Sequence, residues 1–99
     1  MKITESRSTR GIVLFVAGTI NESTSPLLQN ELFRVSKLNN SITLDFGDVL
    51  SIDTSGLRAL HSGVRAVASR RGRLTILNAN AAVKNMLQTD GLGRLLVSV

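Results

Sequence analysis

The sequence predicts an α/β domain: a small mixed, mainly parallel β-sheet with an antiparallel edge strand, packed by helices. Three observations carry this. Short runs rich in β-branched residues, "IVLFVAG", "ITLDF" and "RLTILN", alternate with segments of helical period. Strands that alternate with helices need crossover connections, which are right-handed and lay helices over a mostly parallel sheet. The polar stretch "KITESR" is separated from "IVLFVAG" only by "STRG", a turn that makes their pairing an antiparallel hairpin. Ninety-nine residues allow a single domain over 1–99.

The elements follow in the order β-β-α-β-α-β-α. "KITESR" is polar and half-alternating, as an edge strand is, and "IVLFVAG" is apolar at nearly every position, so it is expected at the centre with helices over both faces. Ser25 before Pro26 is expected to cap the first helix, because proline at the first helical position loses no needed N–H. Leu28, Leu32 and Val35 then form its inner stripe, flanked by Leu38, and "LNNS" ends it before the strand Ile42–Phe46. The second helix is expected over Leu57–Arg71, with Leu57, Leu60, Val64 and Val67 buried and Arg58, Ser62, Arg65 and Ser69 on the outer side. Gly72 is expected to end it. Leu74–Leu77 is the last core strand. Asn80 caps a third helix that Gly91 closes, and "GRLLVSV" supplies a short final strand.

Composition narrows the function. No cysteine is present, so thiolate metal sites and disulfides are excluded, and a single histidine cannot build a histidine cluster for zinc. The start "MKITESRSTR" has no apolar signal region, and the longest apolar run, Ile12 to Ala17, is too short to span a bilayer. A cytoplasmic domain without membrane insertion is expected. The net charge is +5, and between Asp53 and Asp90 stand Arg58, Arg65, Arg70, Arg71, Arg73 and Lys84 without one acid. That asymmetry suits an anionic partner or a solvated helix and turn. Nucleic acid suits it least, since the basic segment has no aromatic to stack a base.

Catalytic arrangements do not assemble from these residues. Ser55 lies in Asp-Thr-Ser-Gly-Leu rather than Gly-x-Ser-x-Gly, and His61, six residues along the same helix, points away from it. The "DTSG" stretch is no aspartic-protease loop, because Ser55 interrupts it and its surroundings are helical. Neither a Walker A loop nor Gly-x-Gly-x-x-Gly occurs, so no nucleotide cofactor is expected. The chain reads as a binding protein.

The junction Asp53-Thr54-Ser55-Gly56 remains. Each of the first three can cap a helix, and Gly56 permits a tight turn into it. A helix N-terminus also offers free N–H groups and a positive dipole end to an anion. A hydroxyl there can carry a phosphate at low structural cost, with Arg58 one turn beyond Thr54.

Over nearly its whole length the chain resembles the STAS domains, named for sulphate transporters and anti-sigma-factor antagonists. "VAGTINESTSPLL" resembles their Gly-x-Leu-Asp strand end and first helix. "ITLDFGDVLSIDTSGLRAL" resembles the signature strand, acid, hydroxyl residue and helix, and "RGRLTILNANAAVKNMLQTDGLGRLL" the closing strand, helix and Gly-Leu turn. The resemblance to the bacterial antagonists implies that Thr54, with Ser55 second, is phosphorylated by an anti-sigma factor that is also a serine kinase. It implies that the unmodified chain binds this kinase and frees a sigma factor, and that a metal-dependent serine phosphatase reverses the modification. Asp53, Ser55, Gly56 and Asn21 are then partner-binding residues, and the charge asymmetry places Arg58 and Arg65 on the same protein-binding surface beside the junction. Three departures are visible: the acceptor is threonine rather than the commoner serine, Asn21 replaces the family aspartate, and the chain ends before the last helix most relatives carry. The alternative within the family is a non-phosphorylated STAS subunit of a membrane ABC transporter for lipid or solute, packed against its ATPase. Stressosome-like scaffolds are a third, more distant form.

Overall fold

β1 (Lys2–Ser8) and β2 (Gly11–Ile20) form the expected hairpin, with Ser8 opposite Gly11. Gly11 has φ 137, a conformation glycine alone adopts freely, and it lies so close to the Ser41 carbonyl that no Cβ would fit. A computed structural model of the protein describes residues 1–97. It continues with α1 (Ser25–Ser36), β3 (Ser41–Ile52), α2 (Thr54–Ser69), β4 (Arg73–Leu77) and α3 (Ala81–Thr89), then a 3-10 turn over Gly93–Leu95. The sheet order is β1-β2-β3-β4, antiparallel between the first pair and parallel in the other two.

The expectation that helices cover both sheet faces is corrected. Ile12, Leu14 and Val16 of β2, Ile42, Leu44 and Phe46 of β3, and Leu74 and Ile76 of β4 are buried on one face. They form one core with Leu28, Leu32 and Val35 of α1, Leu57, Leu60 and Val67 of α2, and Val83 and Leu87 of α3. On the other face Val13 is only half-buried and Phe15 is 45% exposed. Thr43 and Thr75 meet there, hydroxyl to hydroxyl, at 3.3 Å. A β-branched run suits a pleated surface whether or not its second face is covered, which is why "IVLFVAG" misleads.

The element ends shift for identifiable reasons. Ser25 does not cap α1. It is the first helical residue and buried, and Thr24 holds the cap position without a side-chain bond to the helix. Asn21 organises this turn instead, its Oδ1 accepting from the amides of Ser23 (2.9 Å) and Thr24 (3.1 Å). β3 is far longer than Ile42–Phe46. Asp45 Oδ1 accepts from the Gly47 amide at 2.9 Å, and the strand continues beside β2 through two register shifts to Ile52. α2 begins at Thr54, not Leu57, and ends at Ser69. Its left-handed closing residue is Arg71 (φ 58) rather than Gly72, and the Gly72 amide donates to the Val67 carbonyl at 2.9 Å. Gly72 is small for another reason: a Cβ there would stand 2.9 Å from both the Asn40 carbonyl oxygen and Val67 Cγ1.

Asn80 caps α3 as expected, its Oδ1 accepting from the Val83 amide at 2.9 Å, and Gly91 (φ 79) closes the helix. Val64 is only partly buried, and Leu38, beyond the end of α1, is 75% exposed. In place of a final strand, Leu96 makes a single parallel bridge to Ile76. The last two residues of that expected strand, Ser98 and Val99, lie outside the described residues.

Candidate functional site

The parallel strands β2 and β3 end side by side, Ile20 opposite Ile52. The Asp53 amide donates to the Ile20 carbonyl at 3.0 Å, so the chain leaves β3 next to Asn21 and turns into α2. In open α/β sheets this edge, the carboxyl ends of the parallel strands, is where partners and ligands are met.

Asp53 is the cap. Its backbone is extended, its Oδ1 accepts from the Gly56 amide at 3.0 Å, and its carbonyl accepts from the Leu57 amide at 3.0 Å. Thr54 is then the first helical residue and exposed, and its hydroxyl makes no side-chain hydrogen bond among the described residues. Ser55 is half-buried and likewise makes none. The amides of Thr54 and Ser55 have no acceptor among the described residues, so two N–H groups stand free at the positive end of the helix dipole.

Gly56 is buried rather than partner-facing. A Cβ on it would lie 2.6 Å from Ile52 Cγ1 and 2.7 Å from Ile20 Cγ2, so the missing side chain seats α2 on the two strand ends. Arg58 follows Thr54 by one turn on the same exposed stripe and has no ion-pair partner among the described residues. Arg65 continues the stripe, but eleven residues from Thr54 it stands about 16 Å along the axis and so apart from the junction. Asn21 is brought beside Asp53, yet its side-chain oxygen is already engaged by the Ser23 and Thr24 amides. An asparagine oxygen serves that turn as an aspartate oxygen would.

Two features of this end were not legible in the sequence. Leu50, three residues before Asp53, is 72% exposed because β3 runs on past Phe46 and turns this side chain outward between buried Val49 and Ile52. Leu27, in the first turn of α1, is exposed as well. The Asn80 side chain donates to the Val49 and Leu50 carbonyls at 3.1 and 3.3 Å, tying the start of α3 to this strand end. Alternation in "VLSI" would put Leu50 on the same side as buried Ile52. The outward turn comes from the register shift, in which Val49 lies opposite Gly18 and Ser51 opposite Thr19 with Leu50 unpaired between them.

His61 Nε2 lies 2.8 Å from Asp90 Oδ2, joining α2 to the end of α3, and Ser55 is not among its partners. Among the described residues no cluster of three or more metal-ligating side chains occurs. Among the described residues no helix is long and apolar enough to cross a membrane.

The family model described as "Mlab, STAS domain" matches residues 3–98. Among solved structures, the anti-sigma factor antagonist SpoIIAA in its unphosphorylated form superposes with a TM-score of 0.86 at 19% identity, covering 99% of this chain and 88% of that one. The Bacillus cell fate determinant SpoIIAA in its phosphorylated form gives 0.79 at 18% identity, over 99% and 91%. A sulfate transporter family protein from Wolinella succinogenes gives 0.74 at 16% identity, over 85% and 73%. At these identities the likeness is one of fold. No match was found among curated proteins.

Proposed function

The chain belongs to the STAS domain family, and from that premise we propose that it is a phosphorylation-switched anti-sigma-factor antagonist. Unmodified, it binds an anti-sigma factor that is also a serine kinase and so releases a sigma factor. Transfer of the γ-phosphoryl of ATP to Thr54 Oγ1 ends the complex, and a metal-dependent phosphatase restores it. The kinase supplies the chemistry and this chain is its substrate.

One observation carries the reading: Asp53 caps α2, which leaves Thr54 exposed, its hydroxyl unengaged, and the fold independent of it. A phosphate on Thr54 would meet the free amides of the helix start and Arg58 one turn on, so the domain can hold it without refolding. It adds about −1.5 to −2 charges beside Asp53. A partner surface shaped for a neutral hydroxyl would then face like charge, which costs several kcal/mol. At about 1.4 kcal/mol per tenfold, a micromolar complex falls apart.

The test is incubation with the cognate serine kinase and ATP, then mass spectrometry of the peptide from Asp53 to Arg58. Phosphate on Thr54 is expected, with constitutive kinase binding by Thr54→Ala and weak binding by Thr54→Glu. Unmodified Thr54 and Ser55, together with wild-type binding by Thr54→Glu, would reject the switch.

A second reading is favoured by the description of the matching family model and by the transporter-family structural neighbour. In it the chain is a non-phosphorylated STAS subunit of a membrane ABC transporter, and Thr54 and Leu50 face the ATPase. Stable co-purification with an ATPase that is indifferent to Thr54→Glu would select it.

A further inference from the structure

Three turns at the amino-terminal ends of the parallel strands converge on the end of the molecule opposite Thr54. The β1–β2 turn brings Arg10, the α1–β3 connection brings Lys37 and Leu38, and the α2–β4 turn brings Arg70, Arg71 and Arg73. The backbone holds them together: the Arg73 amide donates to the Asn40 carbonyl at 2.6 Å, and Gly11 lies against the Ser41 carbonyl. All five cations are exposed, and none has an ion-pair partner among the described residues. Leu38 protrudes among them at 75% exposure.

The acids stand elsewhere. Segments 8–11, 37–41 and 70–73 contain none. Glu22, Asp48 and Asp53 lie toward the opposite end, and Asp45 stands opposite Leu77 at the end of β4. Glu5 and Glu31 are paired with Arg7 and Arg34, and Asp90 with His61. This end therefore carries a local excess of positive charge. An open depression of about 370 Å³ between the first two turns is lined by Arg10 and by the polar residues Ser8, Thr9, Asn39 and Asn40.

We propose that this end is a docking surface for an anionic lipid bilayer, an interaction separate from the Thr54 switch and independent of it. Long, unpaired cations around a protruding leucine match a surface that is negative at the headgroups and apolar just beneath. Single-stranded nucleic acid suits this end less well, since the three segments hold no aromatic for base stacking. Each cation near such a surface raises partitioning about fivefold, an effect lost beyond the Debye length. α2 runs from Thr54 to Ser69, about 24 Å, between the two ends. A membrane-docked molecule thus turns the Thr54 junction away from the lipid, free for a protein partner.

The test is co-sedimentation of the full chain with vesicles of equal parts phosphatidylglycerol and phosphatidylcholine, against vesicles of phosphatidylcholine alone. Binding to the first only, abolished by raised salt, is expected. Combined Lys37→Glu, Arg70→Glu and Arg73→Glu should lower it by about a hundredfold or more, given about fivefold per cation. Leu38→Ser should lower it several-fold, and Arg58→Glu, at the far end, should leave it unchanged. Circular dichroism melting of each variant separates lost docking from lost fold. Equal sedimentation with neutral vesicles, no sedimentation with either, retention by the folded triple variant, an equal loss in Arg58→Glu, or displacement from the lipid by an oligonucleotide duplex would each overturn the proposal. None of these outcomes depends on whether Thr54 is phosphorylated.

Discussion

The Asp53 carboxylate accepts a hydrogen bond from the Gly56 amide at 3.0 Å, so the acid, and not the adjacent threonine, caps α2. The structural work of the junction is thereby separated from the hydroxyl that a kinase would modify. Asp53→Ala should lose about 1 kcal/mol of stability, while Asp53→Asn, which keeps an acceptor oxygen, should lose only a few tenths. Thr54→Ala should melt close to wild type. Urea unfolding of the three variants checks this, and a larger loss in Thr54→Ala than in Asp53→Ala would reverse the assignment.

Gly56 is selected by packing. Gly56→Ala drives a methyl into the buried side chains of Ile20 and Ile52, and it should cost about 1–3 kcal/mol despite alanine's better helix propensity. Ser55→Ala, next door and without a hydrogen bond, should stay within about 0.5 kcal/mol of wild type. Denaturation midpoints at equal slope compare the two.

Two leucines ten residues apart should respond oppositely to the same change. Leu60 is fully buried under the sheet, so Leu60→Asp places an unpaired charge in the core and should abolish the cooperative transition. Leu50 is 72% exposed, so Leu50→Asp should melt near wild type yet weaken binding of a partner at the Thr54 junction. Calorimetry reads the first, and titration against the cognate kinase the second.

The edge strand and α1 are joined through Glu5, which accepts from both Arg7 and Arg34. The Arg7 hydrogen bond first, then that of Arg34, holds the Glu5 carboxyl below its usual value of 4.5. A carboxyl with a lowered folded-state pKa stabilises the fold above its unfolded value, and this contribution disappears as pH falls through the folded value. Glu5→Gln should therefore lower Tm slightly near neutral pH, the pair being exposed, and the gap to wild type should close in strong acid. Melting curves across that range test the sign.

Most of the architecture was legible because it rests on local chemistry. The inner stripe of α1, the glycine and asparagine ends of α3, the hairpin and the parallel crossovers all follow from spacing, caps and turn residues. The Asp53–Gly56 junction was legible for the same reason, since three capping residues beside a glycine mark a helix start. Assigning the cap among the three required coordinates, because all are chemically competent and only the Ile20–Asp53 hydrogen bond fixes which residue stays extended.

By itself, then, the sequence determined the fold class, the order of the elements, the core-facing stripes and the position of the junction, because periodicity and capping act within a few residues. Tertiary structure alone decided that one sheet face stays open, that β3 extends to Ile52 and turns Leu50 outward, and that Gly56 is needed for packing. It also decided that Arg10, Lys37, Arg70, Arg71 and Arg73, scattered along the chain, share one end of the molecule. These depend on which strands lie side by side and in what register, and a slip of one residue in register exchanges inside for outside.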